Sequence, residues 1–169
     1  MRFFLLIFSL ALLLTSCGQT FYIVRHAEKA VAGSNTTMMS NDPPLTEAGK
    51  DRAETLKELL KTKKIGAVFS TNTLRTKSTA EPTRAYFNLV TETYSPLPDS
   101  AFVSRLKSLK KNSLIVGHSN TVDDIVNKLC DSVKIPGDLS ETEYDNLFVV
   151  KKKGRKMSFE TRNYGEPSQ

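Results

Sequence analysis

Short, unbroken apolar runs alternate with stretches of helical spacing along this chain, and that alternation limits the fold more than any other feature. Residues 21–24, 65–69 and 113–116 are runs of the kind required by a strand buried on both faces. Between the first two, residues 45–60 trace one helical face through Leu45, Ala48, Ala53, Leu56 and Leu60. Thr46 is placed as the N-cap, with Pro43-Pro44 stopping anything earlier. Residues 73–86 predict a second helix, which Pro82 kinks or ends. Residues 90–94 alternate like a strand, while residues 101–109 and 122–130 predict two more helices. Strands at 146–151 and 156–162 close the chain around a turn at Lys153-Gly154. This order predicts an α/β fold of three layers, α/β/α, with a mainly parallel central sheet and a closing hairpin.

The chain has room for one such domain, spanning residues 18–165. With 39% apolar and 25% charged residues, disorder and a polytopic membrane protein are excluded. Lys and Arg outnumber Asp and Glu by 24 to 18. That excess suits an anionic small substrate or an anionic membrane surface and gives no reason to expect nucleic acid. Ahead of the domain, residues 1–16 have the proportions of a signal peptide, with Arg2 before an apolar stretch too short to span a bilayer. Leu14-Thr15-Ser16-Cys17 resembles a bacterial lipobox, in which Cys17 becomes the lipidated first residue. The alternative is an ordinary cleaved signal, but small residues precede Cys17 and no Ala-x-Ala site is present. The expectation is a lipid-anchored protein of the bacterial cell envelope, periplasmic or facing the outer surface. Lipidation of Cys17 leaves Cys130 alone, so no internal disulfide is expected.

Open parallel sheets bind ligands beyond the carboxyl ends of their strands. The first apolar run is followed by Arg25-His26-Ala27-Glu28-Lys29, the second by Ser70 to Arg75, and the third by Gly117-His118-Ser119-Asn120. His26 and His118 are the only histidines in the chain. Both fall at equivalent strand ends, with Arg25 and Arg75 close by. Two guanidinium forks and two imidazoles suit a phosphoryl group: the arginines bind its oxygens bidentately, and a neutral imidazole can attack phosphorus.

These residues carry a resemblance to a family. Arg25-His26-Ala27-Glu28 resembles the Arg-His-Gly motif of the histidine phosphatase superfamily, whose fold is phosphoglycerate-mutase-like. Leu45-Thr46-Glu47-Ala48-Gly49 is similar to its Leu-Thr-x-x-Gly segment, residues 70–80 to its Ser-x-x-x-Arg-x-x-x-Thr-Ala stretch, and Val116-Gly117-His118-Ser119 to its second histidine segment. The resemblance covers most of residues 20–150. It implies a metal-independent phosphatase without cofactor, in which His26 is the phosphorylated nucleophile and Arg25, Arg75 and His118 complete the phosphate pocket. A phosphorylated small molecule or a phosphoprotein is the implied substrate. A phosphohistidine protein phosphatase is the neighbouring possibility, and a catalytically silent phospho-ligand-binding module the one from a different class.

Two departures stand out. Ala27 replaces the usual Gly, and no clear Glu follows the third strand, where many members place a general acid. Asp99 and Glu28 remain the two candidates, and the true acid would need a raised pKa. Lys29, Ser119 and Asn120 flank the pocket as candidate substrate-binding residues, Asn120 fitting equally well as a helix cap. Residues 141–145 could pass for an acidic metal cluster, but they lack nearby histidines and ligand spacing, which favours a polar loop or short helix. Lys151-Lys152-Lys153 fits a solvated hairpin turn or, given the anchor, a membrane-facing patch.

Overall fold

The computed structural model describes residues 18–30 and 42–168, which build one six-stranded sheet in the order β3-β2-β4-β1-β5-β6. The strands β1 (Gln19–Arg25), β2 (Ile65–Ser70), β3 (Thr91–Thr93) and β4 (Asn112–Gly117) run parallel. The hairpin of β5 (Asn146–Lys153) and β6 (Lys156–Asn163) adds antiparallel to β1. The helices are α1 (Glu47–Leu60), α2 (Leu74–Tyr86), α3 (Ser100–Ser108) and α4 (Val122–Cys130).

Side-chain alternation sorts the helices into layers. Phe21 and Ile23 of β1 point to the face where Val103, Leu106, Ile125 and Leu129 of α3 and α4 pack. Tyr22 and Val24 point to the other, against Leu56, Leu60 and Ala80 of α1 and α2. Both faces are therefore covered, which is why the central strands are continuous apolar runs. The three-layer α/β/α expectation holds.

The helix starts follow local chemistry. Thr46 caps α1, accepting from the Gly49 amide, and Thr73 caps α2 in the same way through the Thr76 amide. Gly49 is needed for a second reason: a Cβ there would fall 2.3 Å from the Glu28 carbonyl oxygen. That same oxygen accepts from the Thr46 amide at 2.9 Å. The Leu-Thr-x-x-Gly segment thus fastens α1 to the chain just after β1.

Two expectations need correcting and one is narrowed. Pro82 lies inside α2, so of the two expected effects, a kink or an end, the end is ruled out. Thr79 and Ala80 before it and Thr83 after it are all buried, so packing on both sides outweighs the lost backbone hydrogen bond. Val90 is 81% exposed and outside β3, whereas Tyr94 is buried and donates its hydroxyl to the Val116 carbonyl. Lys151-Lys152-Lys153 ends strand β5, leaving Gly154-Arg155 as the turn, with Gly154 at φ +62°. A positive φ at the first turn position suits the right-handed twist of a two-residue hairpin. The signal-peptide segment, Cys17 and residues 31–41 lie outside the described residues. Among the described residues, no helix is long and apolar enough to cross a membrane.

Candidate active site

The strand register brings the two histidines together. Arg25 pairs with Gly117 and Ser70 with Val116, so β1, β2 and β4 end side by side. The His26 amide then donates to the Gly117 carbonyl at 2.9 Å. The imidazoles of His26 and His118 stand 5.7 Å apart, edge to face. They open into a cavity of about 510 Å³ that is also lined by Lys29, Thr73, Arg75, Asn120 and Glu141.

The tautomer of His26 follows from its partner. Nδ1 lies 2.8 Å from the Ala27 carbonyl oxygen, which can only accept, so Nδ1 carries the proton and Nε2 keeps its lone pair. The Ala27 amide is held in turn by Thr79 Oγ1, which donates to the Arg75 carbonyl. Burial, reinforced by the positive charges of Arg25 and Arg75, lowers the His26 pKa from 6.5 to about 3, although its bond to Ala27 works the other way. The ring is neutral over the physiological range and able to act as a nucleophile.

His118 is fixed by the opposite edge. Its Nε2 lies 2.8 Å from Thr71 Oγ1, while Arg75 Nη2 approaches Nδ1 at 3.5 Å. Since a guanidinium can only donate, Nε2 holds the proton and gives it to Thr71, whose hydroxyl meets Thr76 at 3.0 Å. Burial, then Arg75 and Arg25, lower the His118 pKa to about 4.

Arg25 is 1% exposed. Its Nη1 donates to the carbonyls of Ser140 and Glu143, and its guanidinium lies 4.2 Å from the centre of the Tyr144 ring. Nε and Nη2 have no hydrogen-bond partner among the described residues, with the Glu141 carboxylate 4.0 Å from Nη2. A buried cation with open donors is costly, and an anionic oxygen is the partner that relieves it. Arg75 leaves its Nε open in the same way and pairs with Asp42 at 3.1 Å. Asp42 also accepts from the Leu74 amide at the start of α2. Among the described residues, no group of three or more His, Cys, Asp or Glu side chains is placed to hold a metal ion.

The remaining sequence candidates divide. Lys29, Ser119 and Asn120 all line the cavity; Lys29 pairs with Glu141 at 3.5 Å and Ser119 donates to the same carboxylate. Thr121, not Asn120, occupies the α4 N-cap position, so Asn120 is an exposed residue at the cavity rim. Glu28 is turned away from the cavity and gripped by Arg52 through Nε and Nη2, the shortest contact being 2.7 Å. Asp99 is engaged as the α3 N-cap, accepting from the Phe102 amide at 2.7 Å. Neither candidate acid lines the cavity. What the sequence did not announce is the loop before β5: it supplies Asp138, Leu139 and Glu141 to the cavity and Tyr144 beneath Arg25. The acidic run at 141–145 is a loop that supports Arg25, as the polar-loop reading expected.

Comparison with known proteins agrees with this arrangement. The model of the histidine phosphatase superfamily (branch 1) matches residues 21–103, which contain Arg25, His26 and Arg75. No curated protein matches the sequence significantly. Among solved structures, the protein histidine phosphatase SixA complexed with tungstate aligns with TM-score 0.65 at 22% identity, covering 85% of this chain and 96% of that one. Phosphoglycerate mutase from Bacillus anthracis aligns with TM-score 0.60 at 17% identity over 87% and 93% of the two chains. Bacillus stearothermophilus YhfR gives 0.59 at 18% identity over 83% and 94%. The matched segment spans just under half of the chain, and the solved structures share its fold, which is phosphoglycerate-mutase-like in architecture.

Proposed function

We propose that the protein is a phosphatase that works through a phosphohistidine on His26. The observation that carries this reading is the tautomer of His26: its Nδ1–H is spent on Ala27, so Nε2 keeps its lone pair free at a cavity that Lys29 and Arg75 also line. In the first step, Nε2 attacks phosphorus, the N–P bond forms and the bond to the leaving group breaks. The phosphoryl oxygens take up the open donors of Arg25 and Arg75, the Arg75 guanidinium being held by the Nδ1 lone pair of His118. In the second step, water attacks phosphorus, the N–P bond breaks, and phosphate and the neutral imidazole are restored. The arginines supply positive charge that a metal ion would supply elsewhere, so turnover is expected to persist in the presence of a chelator.

One feature of the cavity favours a phosphohistidine as substrate over an alkyl phosphate. Glu28 and Asp99 are engaged elsewhere, and the Ser119 hydroxyl, with Lys29 and Arg25, holds the Glu141 carboxyl below its usual pKa. A leaving alkoxide therefore finds no poised buried acid, whereas a phosphohistidine protonated on its second ring nitrogen departs as neutral imidazole without one. The protein histidine phosphatase among the structural relatives points the same way. The test is hydrolysis of a phosphohistidine peptide against alkyl and aryl phosphates, with and without chelator. Faster cleavage of the phosphohistidine and aryl substrates than of the alkyl ester is expected. Equal rates on all three would overturn the substrate preference, and binding without turnover would leave a phospho-ligand-binding module.

We propose, too, that Cys17 carries a lipid anchor in the cell envelope. Cys17→Ala should move the protein from the membrane to the soluble envelope fraction; unchanged fractionation with an intact mass lacking acyl chains would count against it.

A further inference from the structure

The edge of the sheet remote from the histidines carries an unusual charge. Strand starts gather there: Ile65 pairs with Asn112, Phe21 with Ser113, and Gln19 with Lys152 at the hairpin end. Residues 61–64, 110–111 and 151–156, which lead into or turn at that edge, hold ten of the chain's 24 Lys and Arg and no acidic residue. Elsewhere most basic side chains of the described residues are matched, as in Lys50 with Glu47, Arg84 with Glu81 and Lys128 with Asp124, Lys77 and Lys134 being exceptions. At this edge Lys61 meets Glu58 and Lys151 meets Glu160. Lys64, Lys110, Lys111, Lys153, Arg155 and Lys156 are exposed, and none pairs with a carboxylate of the described residues.

The edge is built rigidly. Asn112 accepts from the Thr20 amide and donates to the Lys63 carbonyl, tying the starts of β1, β2 and β4 together. Lys111 lays its stem over Gly66, and Lys152 donates to the Lys107 carbonyl. The described chain also begins here, because Gly18 precedes Gln19 and lies against Lys152. Cys17 is therefore within about 7 Å of extended chain from Gln19.

We infer that this edge is a docking face for an anionic lipid surface. Two features point to lipid: unpaired cations gathered on one rigid edge, and chain entry through that same edge from the lipobox-like segment. A basic patch beside a lipid anchor adds attraction to an anionic headgroup surface and fixes which edge of the domain faces it. Six strand steps separate Gln19 from Arg25, so docking would hold the cavity roughly 20 Å from the headgroups, open to the aqueous side. The inference concerns placement and does not depend on the proposed chemistry.

Among the described residues every strand and helix lies between Gln19 and Asn163, so a chain beginning at Gly18 keeps the fold and removes the anchor from the measurement. Its co-sedimentation would be measured with vesicles of phosphatidylcholine alone and of phosphatidylcholine with phosphatidylglycerol. Binding is expected only to the anionic vesicles and should weaken as salt is raised. Each unpaired cation near such a surface contributes about fivefold to partitioning, so Lys110→Gln with Lys111→Gln should lower it by on the order of 25-fold. Lys153→Gln with Lys156→Gln should do the same. Lys50→Gln with Lys128→Gln, of equal charge change, should leave it within about twofold, and thermal melts would confirm that each variant is folded. Equal losses in all three pairs would reduce the effect to net charge and overturn the inference. So would an absence of vesicle binding, with or without binding to a nucleic-acid oligomer.

Discussion

Two neutral histidines buried in one site tie the stability of this fold to pH. The folded His26 titrates at about 3 and His118 at about 4, against 6.5 for an exposed imidazole. Because the folded pKa values are depressed, the unfolded chain takes up protons first as pH falls. The stabilising contribution is therefore complete above about 6.5 and is lost as pH drops toward the folded values. One pKa unit corresponds to about 1.4 kcal/mol, so between pH 6.5 and about 4.5 each histidine removes at most ~2.7 kcal/mol, and the pair ~5 kcal/mol. Against a typical total of about 5–15 kcal/mol, that loss is large. Urea denaturation at neutral pH and near pH 4.5 would measure it in the parent and in a His26→Asn, His118→Gln double variant. The asparagine keeps a donor for the Ala27 carbonyl and the glutamine can reach Thr71, while carboxylates titrating in the same window are common to both proteins. The parent should lose about 5 kcal/mol more than the double variant over this range. Equal losses would refute the claim that the two rings are held neutral by burial.

Three substitutions test other parts of the arrangement. Arg75→Lys keeps the charge but loses the planar fork that reaches Asp42 and His118, and should slow turnover by on the order of tenfold or more in steady-state kinetics. Glu28→Gln breaks a pair with the buried Arg52 and should cost about 3–5 kcal/mol in denaturant titration, with kcat nearly unchanged in the folded fraction; a kcat loss without a stability loss would restore Glu28 as the acid. Gly49→Ala pushes a methyl against the Glu28 carbonyl and should destabilise the fold by about 1–3 kcal/mol, read as a lowered Tm.

Much of this site was legible because its residues follow strands. Apolar runs fixed where β1 and β4 end, and a parallel register then had to bring His26 and His118 together. Thr46 and Thr73 show their caps locally, in hydroxyls placed just ahead of helical spacing. Asp99 carried the same signal before residues 100–108 and could have been recognised as a cap, not an acid. Pro82 left open whether α2 ends there, because helix propensity is local whereas the packing that carries α2 through the proline is tertiary. The pairing of Glu28 with Arg52, 24 positions away, and the support of Arg25 by Ser140, Glu143 and Tyr144 depend on contacts between distant segments, which no spacing rule encodes.

The phosphoryl adduct is the most direct test of the mechanism. Brief incubation with a radiolabelled aryl phosphate, followed by a denaturing alkaline quench, should leave label on the peptide containing His26, labile to acid and stable to base. His26→Ala should lose both label and turnover, whereas His118→Ala, which removes the acceptor that holds Arg75, should retain some label while turning over about 10²- to 10³-fold more slowly, the scale for one misplaced transition-state donor. Label on another residue, or turnover surviving His26→Ala in protein free of host phosphatases, would contradict the account.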